Sequence, residues 1–76
     1  QAARRHLRPC DPQAPLRAGE VLLFRMRGGS VAKHLGIAAE CGRRPTFIHA
    51  YSGHEVVESA LSAPWARRVV ARFAFP

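Results

Sequence analysis

Ala32-Lys33-His34-Leu35-Gly36-Ile37-Ala38-Ala39 and, a few residues on, Thr46-Phe47-Ile48-His49-Ala50-Tyr51 decide the reading of this chain. Side chains alternate faces along a strand. His34 and Gly36 therefore point one way, and Leu35 and Ile37 the other. In the second run Phe47, His49 and Tyr51 share a face, while Ile48 and Ala50 share its opposite. The short connection from Glu40 to Pro45 predicts an antiparallel hairpin. Such a hairpin can set both imidazoles on one face, where one ring can orient the other as a general base.

Working outward, Val21 to Met26 reads as a strand that is apolar on both faces at its start, the mark of a central strand. Leu16-Arg17-Ala18-Gly19-Glu20 is the turn that feeds it. Arg27-Gly28-Gly29-Ser30 and Ser52-Gly53-His54 are connecting loops. Glu55-Val56-Val57-Glu58-Ser59 alternates as a third hairpin strand. Ser62-Ala63-Pro64-Trp65 starts a short helical turn with Ser62 as its cap, and Trp65 reads as a packing anchor. Val69 to Phe75 closes as a last strand. On the N-terminal side, Gln1 to Leu7 reads as the end of a helix stopped by Pro9. Asp11 caps a turn that begins at Pro12. The expected fold class is α+β. An antiparallel meander of about five strands forms a half-barrel on an N-terminal helix remnant, with no length for parallel crossovers.

The chain has 76 residues, and residues 1–76 read as a single partial domain. A core of this size is marginal alone. A first residue of Gln1 fits a processed or trimmed product. No apolar run reaches the roughly 20 residues of a membrane span, and no signal peptide is visible. Formal net charge is +7, from twelve Lys and Arg against five Asp and Glu. The arginines are scattered, which favours solvated faces over one polyanion site. A small basic β-domain binding nucleic acid through Phe24, Phe47, Tyr51 and Phe73 is the competing class. Those aromatics sit among aliphatics and read more simply as core. Cys10 and Cys41 form no CxxC pair and read as free, partly buried thiols. A zinc set of Cys41, His34, His49 and His54 matches no compact spacing, so no metal and no cofactor is assigned. Glu58 lies within sequence reach of a surface pairing with Arg67 or Arg68, and Glu20 reads as a residue that shapes its loop.

Several stretches together resemble one family. Leu16 to Phe24 resembles the "PGDLVFF" strand start of the NlpC-type cell-wall peptidases, which are papain-like cysteine peptidases. His34-Leu35-Gly36-Ile37 resembles their "HVGIY" strand, and Phe47-Ile48-His49-Ala50 their "IHA" strand. Arg25-Met26-Arg27, Ala32-Lys33-His34, His49-Ala50-Tyr51, Val57-Glu58-Ser59, Trp65 and Arg72 to Pro76 are similar to a phage and gene-transfer-agent branch. The resemblance implies the C-terminal sheet portion of a peptidoglycan endopeptidase that cuts stem peptides. His34 would be the catalytic base and His49 the residue that bonds its far nitrogen. The family's nucleophile stands in an Asp-Cys-Ser-Gly motif at a helix N-terminus, and this chain has no such motif. About half of a catalytic domain would then lie on the N-terminal side, and the 76 residues would not cleave peptides unaided. The implied setting is a bacterial or phage protein acting in the periplasm or cell wall. Implied partners are the peptidoglycan stem peptide, phage tail proteins and a second copy of the chain through the exposed sheet face, with no membrane span and no nucleic acid. A non-catalytic wall-binding or tail-scaffolding relic is the remaining alternative.

Overall fold

The computed structural model describes residues 7–26, 33–51 and 55–76. The Gln1–Leu7 helix end, the glycine loop after Arg25 and the Ser52-Gly53-His54 turn fall mostly or wholly outside those residues. Among the described residues, strands β1 (Arg8–Pro9), β2 (Val21–Arg25), β3 (Lys33–Ala38), β4 (Thr46–Tyr51), β5 (Glu55–Ala60) and β6 (Val69–Ala74) form one sheet, with a helical turn α1 (Ala63–Ala66) before β6. Every strand pairing is antiparallel. Among the described residues the fold is thus a small, mostly β, six-stranded antiparallel sheet with one short helix.

The strand order is β1-β6-β2-β3-β4-β5. The meander expected from sequence holds from β2 to β5. The last strand departs from it: β6 does not extend the sheet beyond β5 but returns to the far side of β2, and β1 pairs with β6. This return makes β2 central, in keeping with its two-sided apolar start.

One face of the sheet is covered and the other is open. Leu22 and Phe24 of β2, Ala38 of β3 and Phe47 of β4 are the buried core, joined by half-buried Leu16, Met26, Cys41, Leu61, Trp65 and Val69. Burying each large side chain contributes about 1.5–3 kcal/mol. Leu35, Ile37, Ile48 and Val56 stand exposed on the opposite face. The β2–β6 register pairs Leu23 with Ala71 but Phe24 with Val69, which leaves Val70 as an additional residue. This β-bulge lets Arg72 and Val69, three positions apart, both lie on the covered face.

The approach to β2 is pinned. Gly19 has φ +91, a left-handed value that glycine adopts without steric cost. Its N–H donates to the Ala38 carbonyl at 2.8 Å, and the Ala38 N–H donates to the Glu20 carbonyl at 2.8 Å. Glu20, read from sequence as a residue that shapes its loop, does so from a buried position. Arg72 Nε donates to its Oε1 at 2.8 Å while Arg72 Nη2 reaches Oε2 at 3.2 Å. The same guanidinium donates to the carbonyls of Ala14 at 2.8 Å and Pro15 at 3.1 Å. One arginine thus fastens the 12–20 loop to β6 by charge-assisted bonds. Within that loop the Gln13 N–H donates to Asp11 Oδ1 at 2.8 Å, so Asp11 caps a turn there. Ser62 occupies the N-cap of α1, but its hydroxyl makes no capping bond. Glu58 does not meet Arg67 or Arg68; its Oε2 accepts from the Thr46 hydroxyl at 2.6 Å.

Candidate active site

The two histidines meet on the covered face. Gly36 lies opposite His49 across the β3–β4 ladder, and His34 is two residues before Gly36 on the same face. Gly36 has no side chain, so nothing from that position stands between the rings. A Cβ there would lie 2.8 Å from Phe47 Cδ2 and 3.3 Å from Phe24 Cε2. His34 Nε2 is 2.7 Å from His49 Nδ1, and the rings cross edge to face at 88°. His49 Nε2 is 2.9 Å from Ser59 Oγ. The chain His34–His49–Ser59 therefore runs across β3, β4 and β5. Ser59 was not among the residues singled out as chemical from sequence. Its alternation with Val57 places it on the face of Phe47, but a serine in a strand carries no signal of its partner.

Aromatic packing fixes both rings. His49 stacks on Phe47 at 4.2 Å between centroids, 29° from parallel. Trp65 of α1 covers the cluster, with centroids 5.7 Å from His34, 5.3 Å from His49, 5.0 Å from Phe47 and 5.3 Å from Phe24. The Pro64–Trp65 turn is thus the lid of the histidine cluster as well as a packing anchor. His49 is 3 % exposed and His34 is half-buried. Burial holds the His49 pKa below the usual imidazole value, and the neighbouring His34 lowers it further. Above that lowered pKa His49 is a neutral imidazole, with one nitrogen able to donate and the other to accept.

Neither cysteine joins this cluster. Cys10 follows β1 and donates its backbone N–H to the Arg72 carbonyl. Strands β6 and β2 stand between β1 and β3, a separation of about 14 Å at normal strand spacing. Cys41 lies in the β3–β4 connection, past Ala38, and four positions along a strand is about 13 Å. Both thiols are free. Burial first, and the Glu20 carboxylate second, raise both pKa values, which keeps the thiols protonated. A reactive cysteine needs the opposite surroundings. Among the described residues no group of three His, Cys, Asp or Glu side chains is gathered to hold a metal; His54 lies outside them, and Cys41 is at the other end of β3 from His34.

The aromatics offered for base stacking are placed otherwise. Phe24 and Phe47 are wholly buried and Phe73 is half-buried, which leaves Phe24 and Phe47 no free ring face for a nucleotide. The side chain of Tyr51 lies outside the described set. Among the described residues no helix is long and apolar enough to cross a membrane. No family model, no curated protein and no solved structure matches the chain, so its functional reading rests on the geometry of the His34–His49–Ser59 cluster.

Proposed function

We propose that this chain supplies the base half of a thiol hydrolase acting on peptidoglycan stem peptides. The observation that carries the reading is the 2.7 Å contact between His34 Nε2 and His49 Nδ1, with His49 held by Ser59 at its other nitrogen. A base oriented through Nε2 presents its Nδ1 as the working nitrogen. Among the described residues no hydrogen bond engages that Nδ1. In the proposed reaction His34 Nδ1 takes the proton of a cysteine thiol, and the thiolate attacks the amide carbon. The imidazolium returns the proton to the leaving amine. His34 then draws a proton from water, whose oxygen attacks the thioester carbon; the C–S bond breaks, the peptide leaves as its carboxylic acid, and the imidazolium returns its proton to the sulfur. His49 stabilises the imidazolium and fixes its ring.

Cys10 and Cys41 are too distant and too well protonated to serve, so the proposal places the nucleophile in chain outside these 76 residues, on a helix N-terminus that lowers its pKa. The resemblance to NlpC-type peptidases supports the substrate class, and with it a bacterial or phage origin, action at the cell wall and contact with phage tail proteins. The exposed Leu35, Ile37, Ile48 and Val56 support self-association through the open face.

The test compares the 76-residue chain with the gene product extended through its upstream codons, using purified peptidoglycan and mass spectrometry of the released fragments. The extended protein is expected to cut stem peptides and the short chain is not. His34→Ala abolishes cleavage, while His49→Ala leaves a reduced rate. Full activity in His34→Ala, or no cysteine in the upstream segment, overturns the proposal.

A further inference from the structure

Arginines that scatter along the sequence gather in part at one end of the sheet. Arg25 ends β2, and its N–H donates to the Arg68 carbonyl at 2.8 Å. Arg67 and Arg68 follow α1, and the Arg68 N–H donates to the Trp65 carbonyl at 2.9 Å. All three side chains are exposed. Both segments border the histidines: Phe24, the residue before Arg25, lies opposite His34, and the Trp65 ring is 5.7 Å from the His34 ring. The chain's five acidic residues are placed elsewhere. Glu20 is taken by Arg72, Asp11 caps its loop, and Glu40 and Glu58 lie beside Thr46 at the start of β4. Glu55 opens β5, which β3 and β4 separate from β2, about 14 Å at normal strand spacing. Among the described residues Arg25, Arg67 and Arg68 form no ion pair.

Two arginines of the chain are anchored in the same way. Arg72 Nη1 donates to the Pro12 carbonyl at 3.4 Å and the Ala14 carbonyl at 2.8 Å, while its Nε and Nη2 form the fork that holds Glu20 at 2.8 and 3.2 Å. Arg68 Nη1 donates to the Met26 carbonyl and, at 3.4 Å, to the Arg25 carbonyl. Among the described residues no hydrogen bond engages Arg68 Nε or Nη2. Its guanidinium is thus oriented by its anchor, and the edge that matches a carboxylate has no acid of this chain to meet. We propose that the Nε–Nη2 edge of Arg68 binds a free carboxylate of the substrate, beside the amide on which His34 works. The assignment rests on the hydrolase reading for the scissile amide, and on Arg68's own bonds for the ligand class. The anchoring carbonyls lie one and two residues beyond Phe24, about 3–7 Å along β2, and about 5 Å across from β3. That is the span of about two residues of extended peptide, which sets the carboxylate on a residue adjoining the scissile amide. Arg25 and Arg67 add positive field that draws an anion to this end.

The probes are acetyl-alanyl-alanine, with its terminal carboxylate, and the same peptide amidated, each titrated into the 15N-labelled 76-residue chain and followed by NMR. The acid is expected to shift the Arg68 Nε–H and Trp65 indole N–H resonances, and the amide to bind about tenfold more weakly. Arg68→Lys keeps the charge and removes the fork, so it too is expected to lose about tenfold for the acid, which a diffuse positive patch would not. Equal binding of acid and amide, unchanged affinity in Arg68→Lys, or shifts confined to Arg43 and Arg44 overturn the proposal, as does the absence of any shift with the acid. Should Arg68→Lys fail to fold, the acid–amide comparison in the wild-type chain decides. No cleavage enters this readout. A failed titration leaves cleavage by the extended protein standing, and an inactive extended protein leaves the titration intact.

Discussion

At Gly36 the site geometry is sensitive to a single methyl group. A Cβ there would lie 2.8 Å from Phe47 Cδ2 and 3.2 Å from the Ile48 carbonyl oxygen. Gly36→Ala must displace Phe47, the ring on which His49 stacks, or part the β3 and β4 backbones. Overpacking of this kind costs about 1–3 kcal/mol, and the expected result is a lower urea midpoint together with shifted His49 ring resonances. His49 gives a second residue-scale prediction. Its folded pKa is lowered, whereas the unfolded chain titrates near the ordinary value of about 6.5. The unfolded state therefore binds the proton first as pH falls. The stability contributed by neutral His49 is complete above that value and is lost as pH drops from about 6.5 toward the folded pKa. Urea unfolding at about pH 7.5 and about pH 5.5, above the carboxylate range, is expected to show this loss. His49→Gln should flatten it, and an equal slope in both proteins would contradict the assignment.

Among the elements, the loop before β2 and strand β6 are joined by the Glu20–Arg72 pair, with side chains 6 % and 12 % exposed. Removing one partner of a buried pair leaves the other charge without compensation, at a cost of about 3–5 kcal/mol. Arg72→Met is expected to lose stability on that scale in denaturant titration. Glu20→Leu combined with Arg72→Met should cost less than Arg72→Met alone, because no uncompensated charge remains. This pair also shows where sequence reading stops. Strands β2 to β5 were legible because their alternation and their short connections are local signals. The placing of His34 and His49 on one face was legible for the same reason, since His34, Gly36, Phe47 and His49 occupy alternate positions in two adjacent runs. Glu20 and Arg72 are far apart in the chain, and nothing local in an Arg-rich sequence marks which arginine is buried. The place of β6 is equally non-local. Its alternation announces a strand, but only the space left beside β2 and the bulge at Val70 determine where it pairs. The Ser59–His49 contact stayed illegible because it depends on how β4 and β5 pair.

For the molecule as a whole, the asymmetry between its two sheet faces dominates. The covered face carries the core and the histidines. The open face presents Leu35 at 58 % exposure and Val56 at 69 %, with Ile37 and Ile48 beside them. A contiguous apolar surface on so small a protein favours association, opposed by the net charge of +7. Raising ionic strength screens the charge but not the apolar surface. Sedimentation velocity is therefore expected to show more self-association at high salt, and Leu35→Lys with Val56→Lys should reduce it. A monomer at every salt concentration would argue against pairing through this face.

The return of β6 to the flank of β2 has a bearing on how the protein is made. During translation residues 69–74 emerge after every strand they will join, and β1 has no neighbour in the sheet until β6 arrives. The hairpins that carry His34, His49 and Ser59 pair without the segment that locks Glu20 in place. Chains truncated before Val69 should thus show imidazole contacts without protection of the Val21–Arg25 amides that face β6, so that the histidine-bearing hairpins of the domain precede its closure.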